Sequence, residues 1–266
     1  MKQKLIQLLP DKLFLFLKGY GWYGDFRSWN EAQQHSIGYD AENILHRVKT
    51  SLLKVKNGEA IYERDSVIFN TIEYSWELLS ALMWIAAQNK GYLHLIDFGG
   101  SLGSTYYQNK VFLDSLPEVS WNIVEQPNYV KVGIESFQND QLHFYTSINE
   151  CHQRSKEKMN TILFSSVLQY LENPYEILKE AFDYPIEFII VDRTGYTLNN
   201  KERITIQKVP NKIYEATYPC RFFNEKVFIS YFEEHHYKLL FDINSLDSAN
   251  IRSKHKGFVF RRRGNA

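Results

Sequence analysis

HLIDFGGSLGS, residues 94 to 104, reads as a buried strand from Leu93 to Phe98, a glycine-dense turn at Gly99 and Gly100, and a helix opening near Leu102. Glycine has no Cβ and accepts backbone angles that other residues refuse, so the chain can pass close to a ligand there. The first free N–H groups of the helix then face whatever occupies the turn, which suits an anion or a carboxylate. The simpler alternative is a tight strand-to-helix connection in any α/β protein, since DFGGSLG is not the GxGxxG of the dinucleotide fingerprint. Asp97 sharpens the choice. Inside an otherwise apolar strand it must be hydrogen-bonded, either to the turn's own N–H groups or to a cationic part of a ligand.

Downstream the pattern alternates. A helix over Thr105–Leu116 ends near Pro117, and a second strand, Trp121 to Val124, ends at Glu125. Further strands are expected at 142–145, 161–166 and 187–193, the last closing on Asp192 and Arg193, with helices between them. Residues 194 to 222 form a connection too long for an ordinary crossover and are expected to be a hairpin or flap. A helix then leads to YKLLFDI, and a last strand, 257–261, is expected antiparallel beside it. This rhythm predicts an α/β fold with a mostly parallel sheet covered on both faces.

Upstream, residues 1 to 90 show no such rhythm and predict a helical N-terminal extension, with 91–266 as the main domain carrying the 194–222 insertion. Ser28, three residues before Glu31, reads as a capping box. The aromatic patch of Trp22, Tyr23, Phe26 and Trp29 fits either a satellite core or a lid over a flat organic ligand.

Composition narrows the function classes. The 266 residues carry 31 Lys plus Arg against 31 Asp plus Glu, so no global field points to nucleic acid. Cys151 and Cys220 make no disulfide framework, and no Cys/His cluster has metal-ligand spacing, so no metal is expected. No run approaches the ~18 apolar residues of a membrane span, and a cytoplasmic location is expected. Leu13–Leu17 is apolar between Lys12 and Lys18; a helix against the domain accounts for it, with peripheral membrane contact through residues 1–18 as the alternative.

In an open α/β sheet, ligands bind beyond the carboxyl ends of the strands, where strand order reverses. The glycine turn, Glu125, Ser165, Asp192 and Arg193 should all meet at that rim. Glu125 lies at the distance from the turn at which a carboxylate takes the hydroxyls of an adenosine ribose. A dinucleotide would set its pyrophosphate against the Asp97 carboxylate, whereas S-adenosylmethionine brings an ammonium and a sulfonium. The pattern favours S-adenosylmethionine over an NAD(P)-dependent oxidoreductase or a non-catalytic scaffold that keeps the fold.

DFGGSLG followed by an acid at the next strand's end resembles the cofactor region of class I S-adenosylmethionine-dependent methyltransferases. More narrowly, WYGDFRSWNEA, GEAIYERDS, LIDFGGSLGSTYYQNKVF, WNIVEQP, ILFSSVLQYLENPY, VDRT, VPNKIYEATYP and RFFNE resemble a methyltransferase family associated with bacterial surface-polysaccharide gene clusters. The resemblance implies a Rossmann-like methyltransferase sheet. It implies that Gly99, Gly100, Ser101 and Gly103 approach the methionine part, with Asp97 facing its amino group. Glu125 with Gln126 would hold the ribose, Ser147 and Ile148 would flank the adenine, and Ser165, Leu168, Gln169 and Tyr170 would lie near the methyl group. Ser101 stands where a third close glycine is usual, and Pro127 replaces a residue such as His.

Methyl transfer needs alignment of the acceptor and, for a hydroxyl, removal of its proton. Asp192 is the first candidate base, with Tyr170, Arg193 and His35 as other catalytic candidates. Trp22, Tyr23, Arg64, Asp65, Arg203, Tyr214 and Tyr218 are candidates for binding a small-molecule or glycan substrate.

Overall fold

A computed structural model defines the protein and describes residues 20–38, 41–64, 66–210, 216–245 and 247–264. The chain opens with strand β1 (Gly21–Phe26), helices α1 (Trp29–Gln34) and α2 (Ala41–Lys56), strands β2 (Tyr62–Arg64) and β3 (Val67–Phe69), and helix α3 (Trp76–Gln88). Strands and helices then alternate through β4 (Tyr92–Phe98), α4 (Ser104–Leu113), β5 (Glu118–Val124), α5 (Pro127–Ser136), β6 (Leu142–Tyr145), α6 (Ile148–Arg154) and β7 (Thr161–Ser165). A 3₁₀ turn over Leu168–Tyr170 precedes α7 (Pro174–Phe182). The chain continues through β8 (Phe188–Thr197), β9 (Arg203–Lys208), β10 (Thr217–Phe222), α8 (Glu225–Glu234), β11 (Tyr237–Asn244) and β12 (Ser253–Arg262).

The main sheet has seven strands in the order β11-β12-β8-β7-β4-β5-β6. Pairing is parallel from β8 through β6, and β12 runs antiparallel to both β8 and β11. The expected last antiparallel strand is therefore present, but it is inserted between β8 and β11. Side-chain alternation divides the strands between two cores. Leu93, Leu95, Trp121, Ile123, Phe188 and Ile190 pack with Leu82, Ile85 and Tyr106, while Ile96, Ile162, Phe164, Ile189 and Val191 pack with Ile148, Leu178, Phe228 and Phe232. Both faces are covered, which is why these strands read as nearly continuous apolar runs.

The first 90 residues need correction, because they are not only helical. β1 pairs with β9, and β9 with β10, in a separate three-stranded sheet, while β2 and β3 form a hairpin. Glycines punctuate β1, and its strand form depends on a partner about 180 residues away, so no local pattern announces it. The 194–222 connection is built largely of β9 and β10, so the expected hairpin exists and recruits the N-terminal segment as its third strand. The Ser28 hydroxyl caps α1 by accepting from the Glu31 amide at 3.1 Å, and Glu31 returns to the Arg27 amide at 2.8 Å. Residues 1–18, for which a helix against the domain or, alternatively, peripheral membrane contact was expected, lie outside the described residues; no described helix is long and apolar enough to cross a membrane.

β8 does not end at Arg193, as the sequence suggested, but runs to Thr197. Its ladder with β12 shifts register there: Phe258 faces Val191 and Lys256 faces Thr194, so Asp192 and Arg193 together oppose Gly257. Such a bulge bends and twists the strand. Beyond it β8 parts from β7 but stays paired with β12 to Thr197, and an isolated bridge from Tyr196 to Phe223 links it to the end of β10.

Gly257 is required by this crossing. A Cβ there would lie 2.3 Å from Ile243 Cγ1 and 2.6 Å from the Val191 carbonyl oxygen. We expect Gly257→Ala to lower the unfolding free energy by about 1–3 kcal/mol, as overpacking does. An unchanged urea midpoint would refute so close a packing of β11, β12 and β8.

Candidate functional site

A cavity of about 430 Å³ opens beyond the carboxyl ends of β4, β7 and β8. It lies where strand order reverses, because the chain leaves β4 toward β5 and β6 and returns on the other side as β7. The main sheet contributes Asp97, Gly99, Gly100, Ser101, Ser165, Asp192 and Arg193 to its wall. The smaller sheet contributes Trp22, Gln207 and Tyr218, and the β2–β3 hairpin contributes Glu63 and Arg64.

The glycine turn is wound tightly around Asp97. Gly99 and Gly103 have φ of 73° and 104°, and Ser101 adopts 55°, a left-handed conformation that a side chain tolerates poorly. A Cβ on Gly100 would sit 2.5 Å from the Asp97 carboxylate, so that carboxylate rests directly on the glycine. Asp97 is buried and accepts from the Trp121 indole N–H at 3.0 Å. This donor stands opposite, on β5, and nothing in the sequence announced it. Burial pushes the Asp97 acid up to about 7, the indole bond opposes the shift, and the charge of Glu125 adds to it. Glu125 is also raised by burial, while the amides of Gln126 and Ser101 pull the other way. The Gln126 amide lies 2.7 Å from Glu125 Oε2.

On the β8 side, Asp192 is buried and accepts from the Ser165 hydroxyl at 3.2 Å. Burial pushes it up to about 6, against the Arg193 charge. The Arg193 guanidinium turns away from Asp192 to Asp247, with Nε 2.6 Å from Oδ2. The bulge explains this, because Arg193 sits at φ 52° and its side chain departs from the direction of its neighbour. Burial works against ionisation of Asp247, but the charges of Arg193, Arg64 and His255 hold it below the usual carboxylate range. His255 is lowered by burial and by the Arg193 charge, with Asp247 opposing. The Tyr170 hydroxyl donates to Gln207 at 2.7 Å, and its ring meets Tyr218 edge-on at 5.4 Å.

Several expected residues lie outside the cavity wall. His35 ends α1, bonds the Glu31 carbonyl through Nδ1 at 2.8 Å and packs on Phe26, so it has no place as a base. The Arg203 guanidinium donates twice to the Gly24 carbonyl, at 2.9 and 2.6 Å, and ties β9 to β1. Tyr23 shares β1 with Trp22 but does not line the cavity. Leu168 and Ile148 are wholly buried in the hydrophobic core. Ser147 caps α6 by accepting from the Glu150 amide, Gln126 occupies the N-cap position of α5, Glu125 just before it does not line the cavity, and Gly103 packs against Leu142 and Ile123. Asp65 and Tyr214 lie outside the described residues.

Other wall residues gave no signal in the sequence. Glu63 accepts from the Ser104 hydroxyl at 2.5 Å and the Ser66 amide at 2.6 Å, fastening the hairpin to the start of α4. Asp247 and His255 lie in segments with no motif, Asp247 between β11 and β12 and His255 on β12, whereas Gln169 was already expected from the resemblance.

No protein-family model and no curated protein matches this sequence. Solved structures do match in shape. The N-terminal domain of EvdMO1, crystallised in the presence of S-adenosylhomocysteine and D-fucose, is 13% identical with a TM-score of 0.50, covering 85% of this chain and 98% of that one. An S-adenosylmethionine-dependent methyltransferase from Clostridium acetobutylicum is 9% identical with a TM-score of 0.50, covering 85% and 100%. The fold is the Rossmann-like fold of S-adenosylmethionine-dependent methyltransferases. Within that methyltransferase fold, the glycine turn after β4 is the feature that both the chain's own chemistry and its topology single out.

Burial makes Asp97 a weaker acid, and this couples folding stability to pH. Folding favours its protonated form, so the stability it contributes is complete below its ordinary value of 3.8 and is lost as pH rises through about 7. We expect Asp97→Asn, which cannot ionise, to be more stable than the parent at about pH 8, with the gap closing toward about pH 4. Denaturant titrations at stepped pH check this; a gap independent of pH would assign the titration to another group.

Proposed function

We propose that the protein transfers a methyl group from S-adenosylmethionine to a small-molecule or glycan acceptor, as a cytoplasmic enzyme of surface-polysaccharide biosynthesis. The observation that carries this reading is the buried Asp97 carboxylate lying on Gly100 at the topological switch point. A pyrophosphate would be repelled there, and an ammonium would be attracted.

The residues present fit the cofactor. The Gly99–Ser101 turn has no room for a further side chain at Gly100 and exposes backbone at the cavity wall. Asp97 would hold the amino group of the methionine end, and Glu125, at the end of β5, would turn from the turn amides to the ribose hydroxyls. When bound, the cofactor supplies an electrophilic methyl group on a sulfonium. The protein's own groups orient the acceptor, shield it from water and take its proton. In this reading residues 91–266 are the transferase domain, and β1 with the 194–222 insertion shapes the acceptor end. Trp22, Tyr170 and Tyr218 give that end aromatic surfaces, and Ser165 with Asp192 gives it polar ones. Such a mixture suits a sugar, whose C–H faces rest on rings while its hydroxyls seek polar partners.

Calorimetry with S-adenosylhomocysteine tests the assignment directly. We expect the parent to bind it and not NAD(H), and Gly100→Ala to weaken binding by about tenfold or more, since the new methyl group displaces the Asp97 carboxylate. Absence of heat with either S-adenosylmethionine or S-adenosylhomocysteine would overturn the reading.

A further inference from the structure

The acids nearest the glycine turn are already engaged, Asp97 by Trp121 and Glu63 by Ser104 and Ser66. Two other polar groups in the cavity wall are not fully engaged. Asp192 and Gln169 are 1% and 3% exposed, and each carries a buried oxygen with no hydrogen-bond partner among the described residues: Asp192 Oδ1 and Gln169 Oε1. Native proteins rarely leave such atoms unsatisfied, because a buried acceptor without a donor loses its hydration and gains nothing in return.

The orientation of Gln169 is decided by its neighbours. Its Nε2 donates to the Arg193 carbonyl at 3.0 Å and to the Ser166 hydroxyl at 3.3 Å, which uses both amide hydrogens. Turning the amide over would set Oε1 against the Arg193 carbonyl, so Oε1 is held as an acceptor. Asp192 is similarly fixed, with Oδ2 receiving the Ser165 hydroxyl and Oδ1 left over. One piece of backbone sets both groups: the bulge opposite Gly257 contains Asp192 itself and the Arg193 carbonyl that anchors Gln169.

Two fixed acceptors call for a ligand bringing two donors. An ether, a ketone, a phosphate or a carboxylate brings none, whereas adjacent hydroxyls on a sugar ring bring two. The Trp22 ring, which lines the same cavity, adds an aromatic surface.

We propose that Asp192 and Gln169 seat two adjacent hydroxyls of a pyranose acceptor, with Asp192 Oδ1 taking the proton of the hydroxyl that is methylated and Gln169 Oε1 holding its neighbour. This rests on the methyl-transfer reading above. In the step, the hydroxyl oxygen bonds to the methyl carbon as the carbon–sulfur bond breaks. The electron pair of that bond stays on sulfur, which becomes a neutral thioether, and the proton passes to Asp192. The products are a methyl ether and S-adenosylhomocysteine, and Asp192 returns its proton to solvent. An Asp192 acid lifted to about 6 is ionised at neutral pH and is a stronger base than an exposed aspartate.

The test uses the full chain saturated with S-adenosylhomocysteine, titrated with D-fucose, D-glucose and D-mannose and with their monodeoxy forms by saturation-transfer NMR. We expect at least one parent sugar to bind. Removing either hydroxyl of a single adjacent pair should weaken it by about tenfold, and removing a hydroxyl elsewhere by less than about twofold. Gln169→Leu should weaken the sugar about tenfold with S-adenosylhomocysteine affinity unchanged. With labelled S-adenosylmethionine the methyl group should appear on one member of that pair, and Asp192→Asn should lower its rate by about 10²–10⁴ while sugar affinity stays within a few-fold. The deoxy series needs no variant, so it stands even where a substitution impairs folding. The proposal is overturned if S-adenosylhomocysteine binds but none of the sugars does, if no adjacent pair of hydroxyls matters, or if Asp192→Asn transfers methyl as fast as the parent. Failure of S-adenosylhomocysteine to bind overturns the methyl-transfer reading instead.

Discussion

A carboxylate buried at the end of the central strand sets the terms for the site. Asp97 lies on Gly100, where no side chain fits, and is restrained from β5 by the Trp121 indole N–H. Its burial favours the neutral acid, and a cation would restore the charge. The glycine turn, the left-handed Ser101 and the Glu125 carboxylate are packed around this one group, so the first strand, the turn and the second strand are coupled at a single point.

The second constraint is the bulge in β8. A parallel strand that stopped at its usual rim would end beside Ser165, leaving the cavity open on that side. By bulging opposite Gly257, β8 carries on past the rim and delivers the chain into the smaller sheet. The same irregularity turns Arg193 toward Asp247 and leaves Asp192 facing the cavity wall. β1 closes the arrangement from the other end of the sequence. The Asn250 side chain accepts from the Trp22 amide at 2.7 Å and donates to its carbonyl at 2.9 Å, which fixes Trp22 against the loop before β12. Cavity-wall residues therefore come from distant segments of the chain held by a few directional bonds.

What could be read in the chain divides along the same line. Apolar runs of four to seven residues, bounded by glycine and proline, identified the strands of the parallel sheet, and DFGGSLG marked the rim where the cavity opens. β1 escaped because its glycines interrupt any alternation, and its partner is β9. Asp192 was found as a strand-end acid although the strand continues, since a bulge has no signature in a single sequence. His255 and Asp247 escaped because nothing in KHKGF or SLDSAN suggests a site.

By itself, then, the sequence determined the α/β class, the order of most strands and the chemistry of the turn, because these depend on hydrophobic periodicity, glycine and one misplaced acid within short windows. Only the tertiary structure decided which side chains share the cavity. That outcome depends on a register shift between β8 and β12 and on a ladder between residues near 22 and near 207, and pairings over such separations are settled by packing and hydrogen bonding of the whole chain.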